Sequence, residues 1–313
     1  MKVIDLHCDT VIRLVEQGNE ISLRENDLDV DIRKLREGNI TAQFFALFVN
    51  LAKTDNPLEF CLGMVDRFYR ELEENQEYIR LSTSWNDLCR NQVDGKISAF
   101  LTIEEGGVLK GNIANLRNFY RLGVRLITLT WNYPNEIGFP NALEECRGQG
   151  LTEFGREVVA EMNRLGMVID VSHLSDQGFY DVASLSHQPF VASHSNARAV
   201  TGHARNLTDD MIRVLADKGG VTGLTFAKQF LGDKGISLVE DMVKHVKHIH
   251  KVGGIDVIAI GTDFDGTKPP LEVANSGEMS KLWNGLETAG FCESDMEKIF
   301  FGNATRIIRQ VIG

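Results

Sequence analysis

Residue types that commonly bind metal ions or transfer protons occur at the ends of apolar runs in this sequence. The first run, VIDLHCD (3–9), places Asp5, His7 and Asp9 at alternating positions. Residues i, i+2 and i+4 of a β-strand point to the same side of a sheet. Because an unpaired charge is costly in a protein core, this alternation indicates that the strand directs its acids and imidazole toward a ligand.

Four later runs end in the same way. They are followed by the EEGG motif of Glu104 and Glu105, by His173, by His194, and by Asp263 with Asp265. A single histidine at a strand end is most often an ordinary hydrogen-bonding residue. The repetition of ligand-type residues at several strand ends is what predicts a common site.

The number of these ligands predicts a two-metal centre. A single catalytic zinc takes about three protein ligands and a water, whereas two divalent ions about 3.5–4 Å apart share a carboxylate and a water. We predict that His7 and Asp9 bind one ion, that His173 and His194 bind the other, and that Glu105 bridges them. Histidine and carboxylate ligands suit Zn²⁺, and two such ions would make hydroxide available near neutral pH.

Two further sets of ligand-type residues are not assigned to the metal centre. Asp5 is expected to be buried as a supporting polar group rather than a ligand. The segment KHVKHIHK (244–251) contains an HxxH pattern that resembles a metal-binding pair. Because its apolar residues have helical spacing, we interpret its histidines as the solvated side of a helix.

The elements that must position these residues are strands and helices in alternation. Eight β-rich runs are predicted at 3–9, 41–49, 98–107, 124–131, 167–173, 190–195, 220–226 and 257–266. Helical patterns follow at 150–166, 208–220 and 238–254, and closing helices are predicted at 293–312. This order predicts an α/β fold, a single (β/α)8 barrel domain over 1–313, whose active site lies at the carboxyl ends of the strands. A doubly wound sheet is the alternative.

Composition and net charge disfavour a nucleic-acid-binding protein and a membrane protein. The formal charge of −11 over 313 residues disfavours a nucleic-acid-binding surface. We find no apolar run long enough to span a membrane and no apolar leader after Met1. Five scattered cysteines without a CxxC motif are typical of free thiols in a reducing compartment. We therefore expect a cytoplasmic protein without membrane or nucleic-acid partners.

Several motifs, taken in order, resemble one known family. They are IDLHCDT, EEGG, TLTWN, DVSHLS, ASHSNAR, ARNLTDD and GTDFDG. In this order they are similar to the membrane (renal) dipeptidase family of zinc peptidases, within the amidohydrolase superfamily, and the match extends from residue 3 to beyond residue 266. The resemblance implies a binuclear zinc barrel that hydrolyses dipeptides, with some members accepting a D-residue at the carboxyl-terminal position. It implies the same ligand set as the strand ends.

The resemblance also implies roles for residues outside the ligand set. Arg205 would bind the carboxylate of the substrate, for which a guanidinium fork is suited. Asp263 would take a proton from the bridging water and give it to the leaving amine, with Asp265 as the fallback. Trp131 stands where the mammalian enzymes have a histidine that polarises the scissile carbonyl. An indole donates one hydrogen bond but does not titrate, so either zinc alone polarises the carbonyl or another donor replaces the histidine.

The sequence therefore predicts a metal-dependent dipeptidase acting on a small-molecule dipeptide. One alternative is a related amidohydrolase acting on another amide, such as an N-acyl amino acid, which the change to Trp131 favours. A second alternative is a metal-binding barrel without catalysis, which the intact ligand set and Asp263 disfavour. Because the mammalian relatives are dimers, a homodimer is a further expectation.

Overall fold

Eight parallel strands close into a barrel. The computed structural model describes the backbone of residues 1–313 and every side chain except that of Asn19. The strands of the sheet are β1 (Val3–Cys8), β2 (Ile40–Phe48), β3 (Ile79–Leu81), β4 (Ile97–Glu104), β5 (Val124–Thr128), β6 (Val168–Asp170), β7 (Val191–Ala192), β8 (Val221–Leu224) and β9 (Ile258–Ile260). With the additional strand β3, which pairs only with β4, the sheet has nine strands. The order β2-β1-β9-β8-β7-β6-β5-β4 is closed by pairing of β4 with β2. This closure confirms the predicted (β/α)8 barrel.

One strand was not predicted, and all the others except β2 are shorter than their predicted runs. Strand β3 pairs with the first residues of β4, up to Leu81 opposite Ala99, before β5 takes over that edge at Leu101. The run predicted as a strand over 257–266 leaves the sheet after Ile260. Such runs continue past the strand ends because the loops at the barrel mouth are themselves buried.

Helices surround the barrel. They are α1 (Thr10–Glu16), α2 (Ile32–Glu37), α3 (Pro57–Glu74), α4 (Trp85–Val93), α5 (Ile113–Arg121), α6 (Glu153–Leu165), α7 (Asp176–Leu185), α8 (Asp209–Asp217), α9 (Lys228–Leu231), α10 (Val239–Gly253), α11 (Ser280–Thr288), α12 (Glu293–Glu297) and α13 (Asn303–Ile307). Two π-helical turns, Lys298–Gly302 and Ile308–Ile312, follow α12 and α13. Helix α8 begins where the Thr208 side chain accepts a hydrogen bond from the Met211 amide, and α6 ends at Gly166 in a left-handed conformation.

The barrel interior is apolar at its amino-terminal end. Ile4, Leu6, Phe44 and Phe100 belong to this inner cluster, and the two phenylalanine rings stack 4.6 Å apart. Residues 304–311 of the closing helices pack against the same cluster. The amino-terminal end is therefore filled, and the polar residues lie toward the opposite end.

The histidines of α10 differ from the prediction of a solvated face. His245 is fully buried. Its Nδ1 accepts a hydrogen bond from the Ala197 amide at 3.1 Å, and its Nε2 donates to the Leu231 carbonyl at 3.1 Å. His248 lies 2.6 Å from an Asp209 carboxylate oxygen. The solvated interpretation is wrong for His245, which joins α10 to two neighbouring segments.

No described helix is both long enough and apolar enough to cross a bilayer.

Candidate active site

The polar strand ends meet at one mouth of the barrel. His7 lies near the end of β1, Glu104 is the last residue of β4, and the remaining groups follow β6, β7 and β9. Among the described side chains, two overlapping groups have ligand atoms within 4.8 Å of one another. One group is His7, Glu104 and His194, and the other is His7, Asp9 and Asp263.

Glu104 stands at the centre of the histidines. Its Oε1 is 3.1 Å from His173 Nε2 and 3.3 Å from His194 Nε2, and its Oε2 is 3.6 Å from His7 Nε2. Burial alone would raise the pKa of Glu104, but the neighbouring histidines, His7 above all, hold it well below its usual range. The two oxygens of one carboxylate thus face different imidazoles.

Glu105 does not occupy the bridging position that the sequence analysis assigned to it. Its Oε1 accepts hydrogen bonds from the Gly107 amide at 2.7 Å and from Asn135 Nδ2 at 2.5 Å. Its Oε2 accepts from the Trp131 amide at 3.1 Å. Glu105 follows the strand with a φ of 112°, and this turn directs its carboxylate into the loops instead of the mouth. Burial raises the pKa of Glu105 to about 7.

Hydrogen-bond partners determine which nitrogens of His173 and His194 carry protons. His173 Nδ1 lies 3.0 Å from the side-chain oxygen of Asn132, which can only accept. His194 Nδ1 lies 2.8 Å from the hydroxyl of Ser193, whose own proton goes to Asp170 at 2.6 Å. Both Nδ1 atoms therefore donate, and both Nε2 atoms carry lone pairs.

The two lone pairs face each other beside an anion. His173 Nε2 and His194 Nε2 are 3.0 Å apart, next to Glu104 Oε1. Burial lowers the pKa of His173 to about 4 and lowers that of His194 well below its ordinary value, so both rings are neutral. Three electron-pair donors this close together require a cation, and this arrangement fits a metal ion.

The second group contains unpartnered polar atoms. Both ring nitrogens of His7 and one carboxylate oxygen of Asp9 are buried without a hydrogen-bond partner among the described residues, and such orphans are rare unless an ion or water completes them. Burial and the charges of Asp9 and Glu104 raise the pKa of Asp263 well above its usual range. Imidazole and carboxylate donors of this kind fit a metal such as zinc.

The backbone around the site is held in left-handed conformations. His173 and Asp263 have φ values of 67° and 64° without being glycine. Such conformations are costly and cluster at functional sites. A Cβ atom at Gly266 would overlap the carboxylate oxygens of both Asp9 and Asp263, so this glycine lets the loop after β9 lie against the two acids.

Arg205 is brought to the same mouth. Its Nη1 donates to the Ser195 hydroxyl at 3.1 Å and its Nη2 to the His194 carbonyl at 2.9 Å. The guanidinium is buried, lies 5.3 Å from the ring centre of Phe230, and keeps its Nε without a partner among the described residues. One donor of this cation is therefore free beside the histidine cluster.

Trp131 also borders the cluster. Its ring centre is 6.2 Å from that of His173 and 4.9 Å from that of Phe48. Its indole N–H makes no hydrogen bond to any described residue, while its main-chain amide is held by Glu105. The residue is thus placed beside the site with its ring and N–H available.

Asp5 and Asp265 have supporting positions. Asp5 accepts hydrogen bonds from the amides of His7 and Thr262, the Thr262 hydroxyl and the side chain of Gln43. Pairing of β1 with β2 is irregular between Asp5 and Cys8, so the simple alternation from Asp5 to Asp9 does not continue. Asp265 accepts from Thr10 and from the Asp29 amide, and it ties loops together.

Sequence reasoning did not single out Glu104 as the carboxylate that faces the three histidines, although one signal was present. Phe100 lies in the barrel interior, and counting by two along β4 from Phe100 reaches Glu104 rather than Glu105. It also missed Asn132 and the Asp170–Ser193 pair, which orient the two histidines. Those residues have no distinctive spacing, and only the fold brings them to the rings.

Comparisons with known proteins agree with this geometry. The family model described as membrane dipeptidase, peptidase family M19, matches residues 1–312. An uncharacterized dipeptidase of Schizosaccharomyces pombe is 34% identical over 290 residues, which are 85% of this chain and 69% of that protein. An uncharacterized protein from the pqqA 5′ region of Klebsiella pneumoniae is 34% identical over 74% of this chain and 89% of its own length.

Solved structures give the same result. A metallopeptidase from Rhodobacter sphaeroides, crystallised with a phosphinate mimic of the dipeptide L-Ala-D-Ala, superimposes with a TM-score of 0.93 at 27% identity, over 99% of each chain. A dipeptidase of family M19 superimposes with a TM-score of 0.93 at 28% identity, over 100% of this chain and 99% of its own. The chain therefore belongs to the membrane dipeptidase family, peptidase family M19, and is a metal-dependent dipeptidase.

Proposed function

We propose that this protein hydrolyses dipeptides at a two-zinc centre in which Glu104 is the shared carboxylate. The position of Glu104 carries the proposal, because its two oxygens face His7 on one side and His173 with His194 on the other. His7 and Asp9 would hold one ion, and His173 and His194 the second. Glu104 replaces Glu105, whose oxygens are already occupied by loop donors.

Two zinc ions held in this way would supply a hydroxide nucleophile near neutral pH and would polarise the scissile carbonyl. The chain's own residues must keep their donor atoms in place. Asn132 fixes the ring of His173, and Ser193 with Asp170 fixes that of His194. Such outer hydrogen bonds hold the tautomer and the ring direction of ligating histidines.

Arg205 orients the substrate in this proposal. Its guanidinium is buried within hydrogen-bond distance of the main chain at His194, and its Nε is free. A dipeptide carboxylate there would pair with a charge that burial otherwise disfavours. The Rhodobacter neighbour carries a mimic of L-Ala-D-Ala, and this supports dipeptides, including those with a D-residue at the carboxyl-terminal position, as the substrates.

Asp263 is the proton carrier in this proposal. It lies with His7 and Asp9 at the mouth, where a carboxylate can take up a proton and release it during the reaction. Asp263 would accept a proton from the attacking water and deliver it to the leaving amine nitrogen. The products are two amino acids, and Asp263 ends the cycle ionised.

The test measures metal content and cleavage in the same sample. The protein is purified without chelator, its metal is counted by elemental analysis, and L-Ala-L-Ala and L-Ala-D-Ala are assayed. We expect two zincs per chain and cleavage of at least one dipeptide. Asp263→Asn should keep the metal and lower kcat by roughly 10²–10⁴-fold, the usual contribution of general acid–base catalysis.

Two results would overturn the proposal. Full metal content without cleavage of dipeptides, but with cleavage of N-acyl amino acids, would assign the site to another amide; the unusual Trp131 favours this second candidate. Metal content of less than one ion per chain would remove the two-zinc centre.

A further inference from the structure

Three aromatic side chains form an apolar surface beside the polar cluster. Phe48 is the last residue of β2, and Trp131 and Tyr133 lie in the loop after β5. Trp131 meets Phe48 edge to face, with ring centres 4.9 Å apart, and Tyr133 at 5.9 Å. We call these three residues the aromatic wall.

The aromatic wall is incompletely covered by the rest of the chain. Phe48 and Trp131 are half-buried, and Tyr133 is 39% exposed. The wall carries no charged group, and it stands 6.2 Å from the ring of His173. Ligand pockets are lined mainly by apolar and aromatic side chains, which contact the apolar part of the ligand. The aromatic wall has this character and lies next to the candidate active site.

Strand order places Phe48 of the aromatic wall across the barrel from Arg205, whereas Trp131 and Tyr133 follow β5, which is two strands from β7. Eight strands close in the order β1, β2, β4, β5, β6, β7, β8, β9, so β2 is diametrically opposite β7. Phe48 ends β2, whereas Arg205 follows β7 and bonds to His194 just after that strand. Trp131 borders the histidine cluster at His173, and Arg205 borders it at His194.

We propose that the aromatic wall binds the side chain of the amino-terminal residue of the dipeptide and selects large apolar side chains there. This inference rests on the proposed function: with the carboxylate on Arg205 and the scissile carbonyl at the cluster, the amino-terminal residue extends to the opposite side. Aromatic faces gain free energy by covering apolar area, and none of the three wall side chains carries a charge.

The wall is held in position before substrate arrives. The Glu105 carboxylate accepts from the Trp131 amide and from Asn135 Nδ2, and Asn135 Nδ2 also donates to the Leu129 carbonyl at 2.9 Å. Asn135 Oδ1 accepts from the amides of Ile137 and Gly138. A surface ordered in advance loses little conformational entropy on binding. Glu105 is thus a positioning residue for Trp131.

A competing role for Trp131 is donation of its indole N–H to the scissile carbonyl. The two roles predict different kinetics. A donor acts on the carbonyl of every substrate and raises kcat, whereas a wall acts on the variable side chain and changes the ratio between substrates. Trp131→Phe separates them, because it keeps an aromatic face and removes the N–H.

The experiment compares L-Leu-L-Ala with Gly-L-Ala in the zinc-loaded enzyme. We expect wild type to prefer the leucyl substrate in kcat/KM. Trp131→Ala should lower kcat/KM for L-Leu-L-Ala by about tenfold or more and change that for Gly-L-Ala by less than about threefold. Trp131→Phe should keep most of the preference. Tyr133→Ser, at the exposed edge, should lower kcat/KM for L-Leu-L-Ala by a smaller factor. Trp283→Phe on α11 is the matched control and should leave the ratio of kcat/KM for the two substrates unchanged.

Binding is measured independently of turnover with a phosphinate mimic of L-Leu-L-Ala. The mimic should change the tryptophan fluorescence of wild type and of Trp283→Phe, but much less that of Trp131→Phe. An unchanged substrate ratio in both Trp131→Ala and Tyr133→Ser overturns the inference, as does an equal fall in kcat for both substrates in Trp131→Phe. Failure of zinc-loaded wild type to cleave either dipeptide would instead overturn the proposed function.

Discussion

At the scale of single residues, Glu104 and Glu105 are chemically identical and adjacent but have opposite surroundings. Glu104 faces three imidazoles. The Glu105 carboxylate accepts hydrogen bonds from N–H groups of Gly107, Trp131 and Asn135. Burial raises the pKa of Glu105, whereas the histidines lower that of Glu104. The rotation of one residue at the strand end thus turns one carboxylate toward the histidines and the other toward the loops.

A matched pair of variants tests this assignment. Glu104→Gln should lose most of the bound metal and all measurable activity, because the amide removes the negative charge shared by the ligands. Glu105→Gln should retain the metal and change kcat/KM mainly through the Trp131 loop. Metal content per chain, measured by elemental analysis after dialysis, distinguishes the variants. Normal metal in Glu104→Gln with metal loss in Glu105→Gln would return the bridging role to Glu105.

At the scale of elements, the loop after β9 depends on a glycine. Asp263 and Asp265 both have left-handed backbone conformations, and Gly266 lies directly against the carboxylates of Asp9 and Asp263. The loop therefore has no space for a side chain at this position.

Gly266→Ala should displace the carboxylate of Asp9 or Asp263. We expect kcat/KM for dipeptides to fall by about 10²-fold, since a displacement of about 1 Å at reacting groups has an effect of that size. Gly202→Ala is the control, because a Cβ there meets no atom within 4 Å and its φ is not positive. Similar activity in both variants, with matched thermal stability, would show that Gly266 is not required for this packing.

Helix α10 is attached through a histidine that is neutral in the folded protein. His245 accepts from Ala197 and donates to Leu231, and Asp241, Lys244 and His248 are the nearby charged or titratable groups. Burial lowers the pKa of His245 to about 4. Between this value and the unfolded value near 6.5, the unfolded chain binds a proton that the folded protein does not, so stability falls as pH decreases.

The free energy of unfolding should therefore fall by about 2 kcal/mol between pH 7 and pH 5 because of His245 alone. His245→Gln should be less stable at pH 7, because it loses a fitted side chain, but its stability should decrease less over the same interval. Urea unfolding of the zinc-loaded proteins at both pH values measures the difference. Parallel decreases in wild type and variant would assign the pH dependence to other groups.

The sequence predicts those elements that have a local hydrophobic pattern, and it fails for features that depend on contacts between distant segments. Apolar runs predict all eight barrel strands, since each strand is covered on both sides, and His7, His173 and His194 are recognisable because they end such runs. Strand β3 escapes prediction because Ile79–Leu81 is three residues long and pairs only with the start of β4. Glu104 cannot be distinguished from Glu105 unless it is known which residues of β4 point into the barrel. His245 looks like a surface histidine because the segment that covers it, near Ala197, is distant in sequence.

At the scale of the whole molecule, the site combines acids from three strand ends. Asp9, Glu104 and Asp263 follow or end β1, β4 and β9, in a chain with a net charge of −11. Their mutual repulsion in a buried site opposes folding unless cations are present. Metal binding should therefore contribute to the stability of the whole barrel.

Removal of the metal should lower Tm and re-addition of zinc should restore it. A ligand present at about 100 times its Kd stabilises the folded state by about 2.7 kcal/mol, which corresponds to a fall of several degrees when it is removed. Differential scanning calorimetry before and after chelation, and after addition of zinc or magnesium, checks this. An unchanged Tm, with metal loss verified by elemental analysis, would contradict a stabilising role for the ions.

The packing of residues 304–311 inside the amino-terminal end of the barrel has a consequence during synthesis. Strand β1 has β9 as a neighbour, and residues 304–311 belong to the same inner cluster as Ile4 and Leu6. A ribosome-bound chain lacking them exposes an apolar cavity and an unpaired strand edge, although most of its strands have already emerged. We therefore expect the native barrel to form only after residues 304–311 have been synthesised, and a nascent chain without them to expose apolar surface of the kind that chaperones bind.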